Sequence, residues 1–146
     1  MRLADEHDLE AITALQHAAY AANRDVLGLE PLPLLADYDE IMETHEVWLI
    51  EHEAAVIGVL ILEPRAQDML IWSIATAPDA QRRGIGKLML DAAEMRAQQF
   101  GLRTMRLYTG APLKQQIAWY EANGYQFERE EALTDRTLVH FVKPLG

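Results

Sequence analysis

Apolar residues recur along the chain with two periods, and the switches between them mark out the elements. A short strand is predicted at Arg2–Ala4. Asp5 has the character of a helix N-cap, and Leu9, Ile12, Leu15 and Ala19 fall on one face of a helix running to about Asn23. Gly28 to Pro33 is a loop, and a second helix covers about Leu34–Glu43. Three strands follow at Val47–Glu51, Ala55–Glu63 and Met69–Ala77, the last two closed by Pro64 and Pro78. Their apolar runs are nearly continuous, as expected of central strands covered on both faces. Ile85, Leu88, Met89, Ala92 and Met95 form the apolar stripe of a helix over Ile85–Phe100, taken as core, with Gly101 beyond its end. A strand at Thr104–Thr109, a helix at Leu113–Asn123 capped by Gly124, and strands at Tyr125–Glu130 and Thr137–Lys143 complete the chain. The order β-α-α-β-β-β-α-β-α-β-β places it in the α/β class, around one mixed sheet. In this scheme Glu130-Glu131 is a solvated turn, Trp72 alternates with Ile74 as a core residue, and Arg103 and Arg106 are surface residues.

Composition narrows the chemistry. At 146 residues, 50% hydrophobic and 25% charged, with no linker or repeat, residues 1–146 read as a single domain. There is no cysteine, so disulfides, zinc–thiolate sites and thiol nucleophiles are excluded. No Ser-His-Asp pattern is apparent, and His7, His17, His45, His52 and His140 lack the spacing of metal ligands, so no metal is expected. The net charge of −10 argues against nucleic acid and favours cationic partners such as amines. The first seven residues hold two acids and no apolar run. The longest apolar stretch, Ala54–Leu62, suits a strand and not a bilayer span. A cytoplasmic protein without a membrane partner is therefore expected.

One segment inverts the chain's sign. Gln81-Arg82-Arg83-Gly84-Ile85-Gly86-Lys87 joins an apolar strand to an amphipathic helix and carries three cations. Glycines allow close backbone approach, and the first helical turn has free N–H groups and the positive end of the dipole, a combination suited to a pyrophosphate. The glycine order does not fit a dinucleotide-binding fingerprint. A phosphate loop of the Gly-x-x-x-x-Gly-Lys-Ser/Thr type fails too, because Gln81 and Leu88 occupy two of its positions.

With these residues in view the chain resembles the GNAT N-acetyltransferase superfamily. The resemblance rests on Pro78-Asp79-Ala80-Gln81-Arg82-Arg83-Gly84-Ile85-Gly86-Lys87, on Trp119-Tyr120-Glu121-Ala122-Asn123-Gly124-Tyr125, and on the element order. It implies a mainly antiparallel mixed sheet of six or seven strands flanked by about four helices, with acetyl-CoA as cosubstrate. It implies that the backbone of Arg82, Arg83, Gly84, Ile85, Gly86 and Lys87 holds the pyrophosphate, and that the main chain of Ile74 and Thr76 bonds the pantetheine arm like an added strand. A strand N–H would stabilise the oxyanion of the tetrahedral intermediate. Tyr120 would be the general acid that protonates the departing thiolate. Two positions depart from the family. Leu113 stands where many members have an Asn that meets the pantetheine, which shifts that contact to a residue such as Gln116. Leu70 stands where histone-type members have a Glu.

The general base is open among Asp68, Glu63, Glu30 and a water chain. Tyr20 and Tyr38 are expected on the acceptor wall. The resulting expectation is transfer of acetyl to the primary amine of a small molecule or peptide by direct attack in a ternary complex. The alternative is a non-catalytic acyl-CoA-binding or sensing module. A homodimer is open on this resemblance, and the acceptor's identity is not written in the sequence.

Overall fold

A computed structural model describes residues 1–146. Seven strands form one sheet: β1 (Arg2–Leu3), β2 (Glu46–His52), β3 (Ala55–Pro64), β4 (Met69–Thr76), β5 (Thr104–Gly110), β6 (Gln126–Ala132) and β7 (Thr137–Pro144). Their spatial order is β1-β2-β3-β4-β5-β7-β6. Every neighbouring pair is antiparallel except β4 and β5, which are parallel. The helices are α1 (Leu9–Leu27), α2 (Leu32–Leu35), α3 (Tyr38–Thr44), α4 (Ile85–Gln99) and α5 (Lys114–Ala122). The expected mixed, mainly antiparallel sheet flanked by helices is what the chain forms. None of its helices is long and apolar enough to cross a membrane.

The sheet divides the core in two. On one face α4 presses Met89, Leu90, Ala93 and Ala97 onto Leu60, Leu62, Met69 and Ile71. On the other, Ile12 and Leu15 of α1 and Ile41 of α3 pack on Val47, Leu49, Val59 and Ile61. The contiguous apolar runs of β3 and β4 follow from this covering on both sides.

Several boundaries differ from the sequence-based expectation. Helix α1 runs past Asn23 to Leu27, where Gly28 takes φ +72 and its N–H bonds the Arg24 carbonyl. The expected single helix over Leu34–Glu43 is two helices. Ala36 is extended, and the Asp37 side chain starts α3 afresh by accepting from the N–H groups of Asp39 and Glu40. Glu130 and Glu131 are in β6, paired with Val139 and Leu138, and not in a turn. An edge strand can be this polar because charge discourages pairing with another chain. The buried face of α4 is rotated from the expected stripe: Leu88 and Met95 are exposed, whereas Leu90, Ala93 and Ala97 are buried. Two alanines on that face bring the helix close to the sheet.

Close approach also requires Gly58. A Cβ there would lie 3.2 Å from both Ile85 Cγ2 and Met89 Sδ, so the glycine on β3 lets the first turns of α4 settle against the sheet. Gly58→Val is expected to lower the unfolding free energy in urea by about 1–3 kcal/mol through overpacking.

Candidate active site

The central geometric fact is the early end of the β4–β5 ladder. Only Met69↔Met105 and Leu70↔Arg106 are paired, after which the strands diverge. From Ile71 onward β4 is paired with β3 alone and shows a row of main-chain groups toward the gap. The gap opens into a cavity of about 510 Å³ walled by Ile71–Thr76 of β4, Leu107–Gly110 of β5, and parts of α1, α4 and α5.

A bulge shapes this wall. Ile61 pairs with Ser73 and Leu62 with Ile71, which leaves Trp72 as the extra residue on β4. The alternation expected for Trp72 and Ile74 therefore breaks. Ile74 packs with the α4-side core, while Trp72 packs with the α1-side core, edge-on to Tyr38 and His45. Both residues also line the cavity.

At one end of the cavity the turn from β4 enters α4. Arg82 and Gly84 hold positive φ, +68 and +78. For Arg82 this is a strained conformation, of a kind concentrated at functional sites. The first helical main-chain bond of α4 runs from Leu88 N–H to the Gly84 carbonyl at 3.0 Å, so the N–H groups of Ile85, Gly86 and Lys87 have no partner in the ladder. The Arg82 and Lys87 side chains reach the cavity, although Lys87 Nζ also donates to Asp91 Oδ1 at 2.7 Å. Arg83 is outside the lining and turns toward the Asp79 carbonyl.

Tyr120 lines the opposite wall from α5, its ring edge-on to Trp119 and Tyr125 at 5.1 and 5.9 Å. Its hydroxyl has no hydrogen-bond partner within the protein. Burial pushes its pKa above the ordinary tyrosine value, with a smaller contribution from Tyr20. The phenol is thus neutral at pH 7 and free to donate into the cavity. Gln116 lines the same wall and donates to Asn23 Oδ1 at 2.9 Å, tying α5 to α1.

A buried polar chain fixes the α1 side. Tyr20 Oη and Ser73 Oγ are 2.8 Å apart, and Gln16 Nε2 donates to Ser73 Oγ at 3.0 Å and to Tyr38 Oη at 2.9 Å. Tyr38 in turn donates to the Pro33 carbonyl at 2.7 Å. Tyr20 lines the cavity; Tyr38 is one layer behind it. Ser73, inside the apolar run of β4, and Gln16, on the apolar face of α1, were the sequence signals of this polar chain.

The structure brings Ile74, Thr76, Arg82, Gly84, Ile85, Gly86, Lys87, Gln116 and Tyr120 to one cavity. It does not bring the three carboxylates there. Asp68 is held by Arg65 at 2.5 Å and Arg106 at 2.9 Å, in a separate hollow on the open face of β5 and β7. Arg106 also pairs with Glu128, so this surface arginine is an ion-pair hub. Glu30 pairs with Arg24 at 2.7 Å. Glu63, opposite Leu70 on β3, has no ion-pair partner. His140 is stacked beside Tyr108 and bonded to Glu131 at 2.8 Å. No group of three or more metal-ligating side chains is assembled.

Residues 9–125 match the model of the Acetyltransferase (GNAT) family, and the chain belongs to that family. An uncharacterized N-acetyltransferase, YvbK, of Bacillus subtilis (strain 168) is 33% identical over 107 residues, covering 68% of each chain. The ribosomal-protein-S18-alanine N-acetyltransferase from Escherichia coli shares the fold with a TM-score of 0.80 at 19% identity, over 99% of this chain and 92% of that one. The PaiA N-acetyltransferase from Thermoplasma acidophilum, in complex with coenzyme A, does so with a TM-score of 0.76 at 15% identity, over 98% and 96%.

All five tyrosines are shifted above the ordinary value of 10, chiefly by burial, Tyr38 to about 12. A group with a raised folded-state pKa stabilises the fold below its unfolded pKa and loses that contribution as pH rises through the folded value. Ultraviolet titration of the folded protein should therefore show almost no tyrosinate at pH 10. Urea stability should fall as pH rises from 10 toward 12, the window set by Tyr38.

Proposed function

We propose that this acetyltransferase moves the acetyl group of acetyl-CoA directly to a primary amine, with both substrates bound together. The observation that carries the proposal is the convergence on one cavity of unpartnered β4 main chain, the free N–H groups opening α4, and the unpartnered Tyr120 hydroxyl. These residues fit the cosubstrate's parts. The α4 N–H groups with Arg82 and Lys87 suit a pyrophosphate. The exposed main chain of Ile74 and Thr76 suits an amide-bearing arm laid along β4, and Gln116 offers it an amide from α5. Arg83 contributes through its backbone.

Acetyl-CoA supplies an activated thioester. The protein's part is positioning and proton transfer. A main-chain N–H at the β4 bulge donates to the acyl oxygen as it gains negative charge. Tyr120, kept neutral by burial, donates its proton to the leaving sulfur. The amine must lose a proton, and no carboxylate lines the cavity. Glu63, the one carboxylate of the three without an ion-pair partner, is where a water relay would lead. With no cysteine in the chain, a thioester acyl-enzyme is not available.

The same proposal takes residues 1–146 as one catalytic domain, since all seven strands share a sheet. It takes the enzyme as acting in the cytoplasm without nucleic acid, membrane or metal.

Tyr120→Phe should lower kcat by about 10²-fold or more while leaving acetyl-CoA affinity within about twofold. Steady-state kinetics beside calorimetry separate the two, and unchanged kcat removes Tyr120 from the chemistry. Gly84→Trp puts a large side chain on a left-handed residue at the mouth of the turn. It should abolish acetyl-CoA binding in the calorimeter.

A further inference from the structure

The cavity's own charge runs opposite to that of the chain. The protein is net −10, yet no aspartate or glutamate lines the cavity, and its charged walls are Arg82, Lys87 and Arg136. Arg82 belongs to the turn before α4 and Lys87 to the first turn of that helix. Arg136 does not. It lies in the turn between β6 and β7 and meets the cavity beside the segment joining α1 to α2.

Arg136 is built into place. Its side chain is only 7% exposed, while that of its partner Asp135 is 60% exposed. Nε and Nη2 donate to the two Asp135 oxygens, both at 3.1 Å, and Nη1 donates to the Glu30 carbonyl at 2.9 Å. A guanidinium has five N–H groups. Three are used to hold the plane, which leaves one N–H on each terminal nitrogen with no partner in the protein. An arginine with a fixed plane and a free N–H on each terminal nitrogen is a preorganised receptor for a carboxylate.

Apolar side chains, among them Leu27, Pro31, Leu32 and Leu138, share the cavity lining with Arg136. Asp135 balances the charge of Arg136 from outside the cavity, and no carboxylate lines the cavity itself, so a cationic body would meet no counter-charge there. An anionic group on an apolar body is matched on both counts.

We propose that the acceptor is an amine carrying both a carboxylate and an apolar body, of the apolar α-amino acid type, and that Arg136 binds its carboxylate. This rests on the acetyltransferase reading above and names the substrate class of the same cavity. It reverses the preference for cationic partners that net charge alone suggests.

The test pairs each acid with its amide. Acetyl-CoA turnover by the unmodified protein is measured with L-leucine, L-methionine and L-phenylalanine and with the three corresponding amides. The acids should be preferred at least tenfold in kcat/KM. Arg136→Gln should erase the preference with acetyl-CoA KM within about twofold, and Arg136→Lys should restore only part of it, because an ammonium lacks the fork. Amides used as well as acids, or an acid preference that survives in Arg136→Gln, overturns the proposal. The acid-to-amide ratio of the unmodified protein stands whether or not a variant folds.

If none of the six is turned over, binding of N-acetyl-L-leucine and N-acetyl-L-leucinamide to the protein with CoA decides. Tenfold tighter binding of the acid supports the proposal, and equal binding or none overturns it. Failure of acetyl-CoA itself to bind is a different result, and it removes the acetyltransferase reading beneath.

Discussion

Two residue pairs hold β4 to β5, and everything at the site depends on their being only two. Had the parallel ladder continued, the main chain of Ile71–Thr76 would be spent on β5 and the cavity would close. Stopping it leaves a central strand with one side unpaired, a costly arrangement unless another extended molecule takes that side. The core accepts the split because β4 and β5 are tied elsewhere. β4 is laddered to β3 on both sides of the Trp72 bulge, β5 is laddered to β7, and Met105, Leu107 and Phe141 bury the root of the gap beneath α4.

The gap would be of little use if its walls could drift. On one side, Gly58 lets α4 sit close, so that the free N–H groups of its first turn face a fixed point. On the other, Gln16 joins α1, β4 and α3 through Ser73 and Tyr38 in a setting where water cannot substitute for a lost partner. Glu30 and Arg136 join the loop after α1 to the β6–β7 turn. Each tie joins segments far apart in the chain beside one cavity, so its walls are held on more than one side. The charges are arranged in the same spirit. No acid lines the cavity, and the charges that do are arginine and lysine.

Most of the architecture was legible in the sequence because it is driven by burial. The apolar runs of β3 and β4 and the 3.6-residue period of α1 and α4 leave few alternatives. The turn Gln81–Lys87 and the segment around Tyr120 were legible for a different reason: glycines and cations at a strand-to-helix junction have few structural uses. What stayed hidden depends on pairing and phase. Nothing in Met69–Ala77 marks Trp72 as a bulge, since the missing partner is on another strand. The buried face of α4 differs from its apolar stripe by a small rotation, which is why Leu88 and Met95 are exposed. Strand β6 carries almost no apolar pattern, because an edge strand need not bury both faces. Asp68 is bound by Arg65 close by and by Arg106 far along the chain, and Glu30 by Arg24, pairings that the sequence pattern does not announce. Arg136 was invisible because its meaning lies in a cavity formed by several separate segments.

The central claim is that the split between β4 and β5 is where the acetyl donor lies, and amide hydrogen exchange with and without acetyl-CoA addresses it directly. The account predicts that slowed exchange on binding concentrates in residues 71–76 and 84–87, with the β6 edge unchanged. Acetyl-CoA that binds while leaving those amides untouched would contradict it.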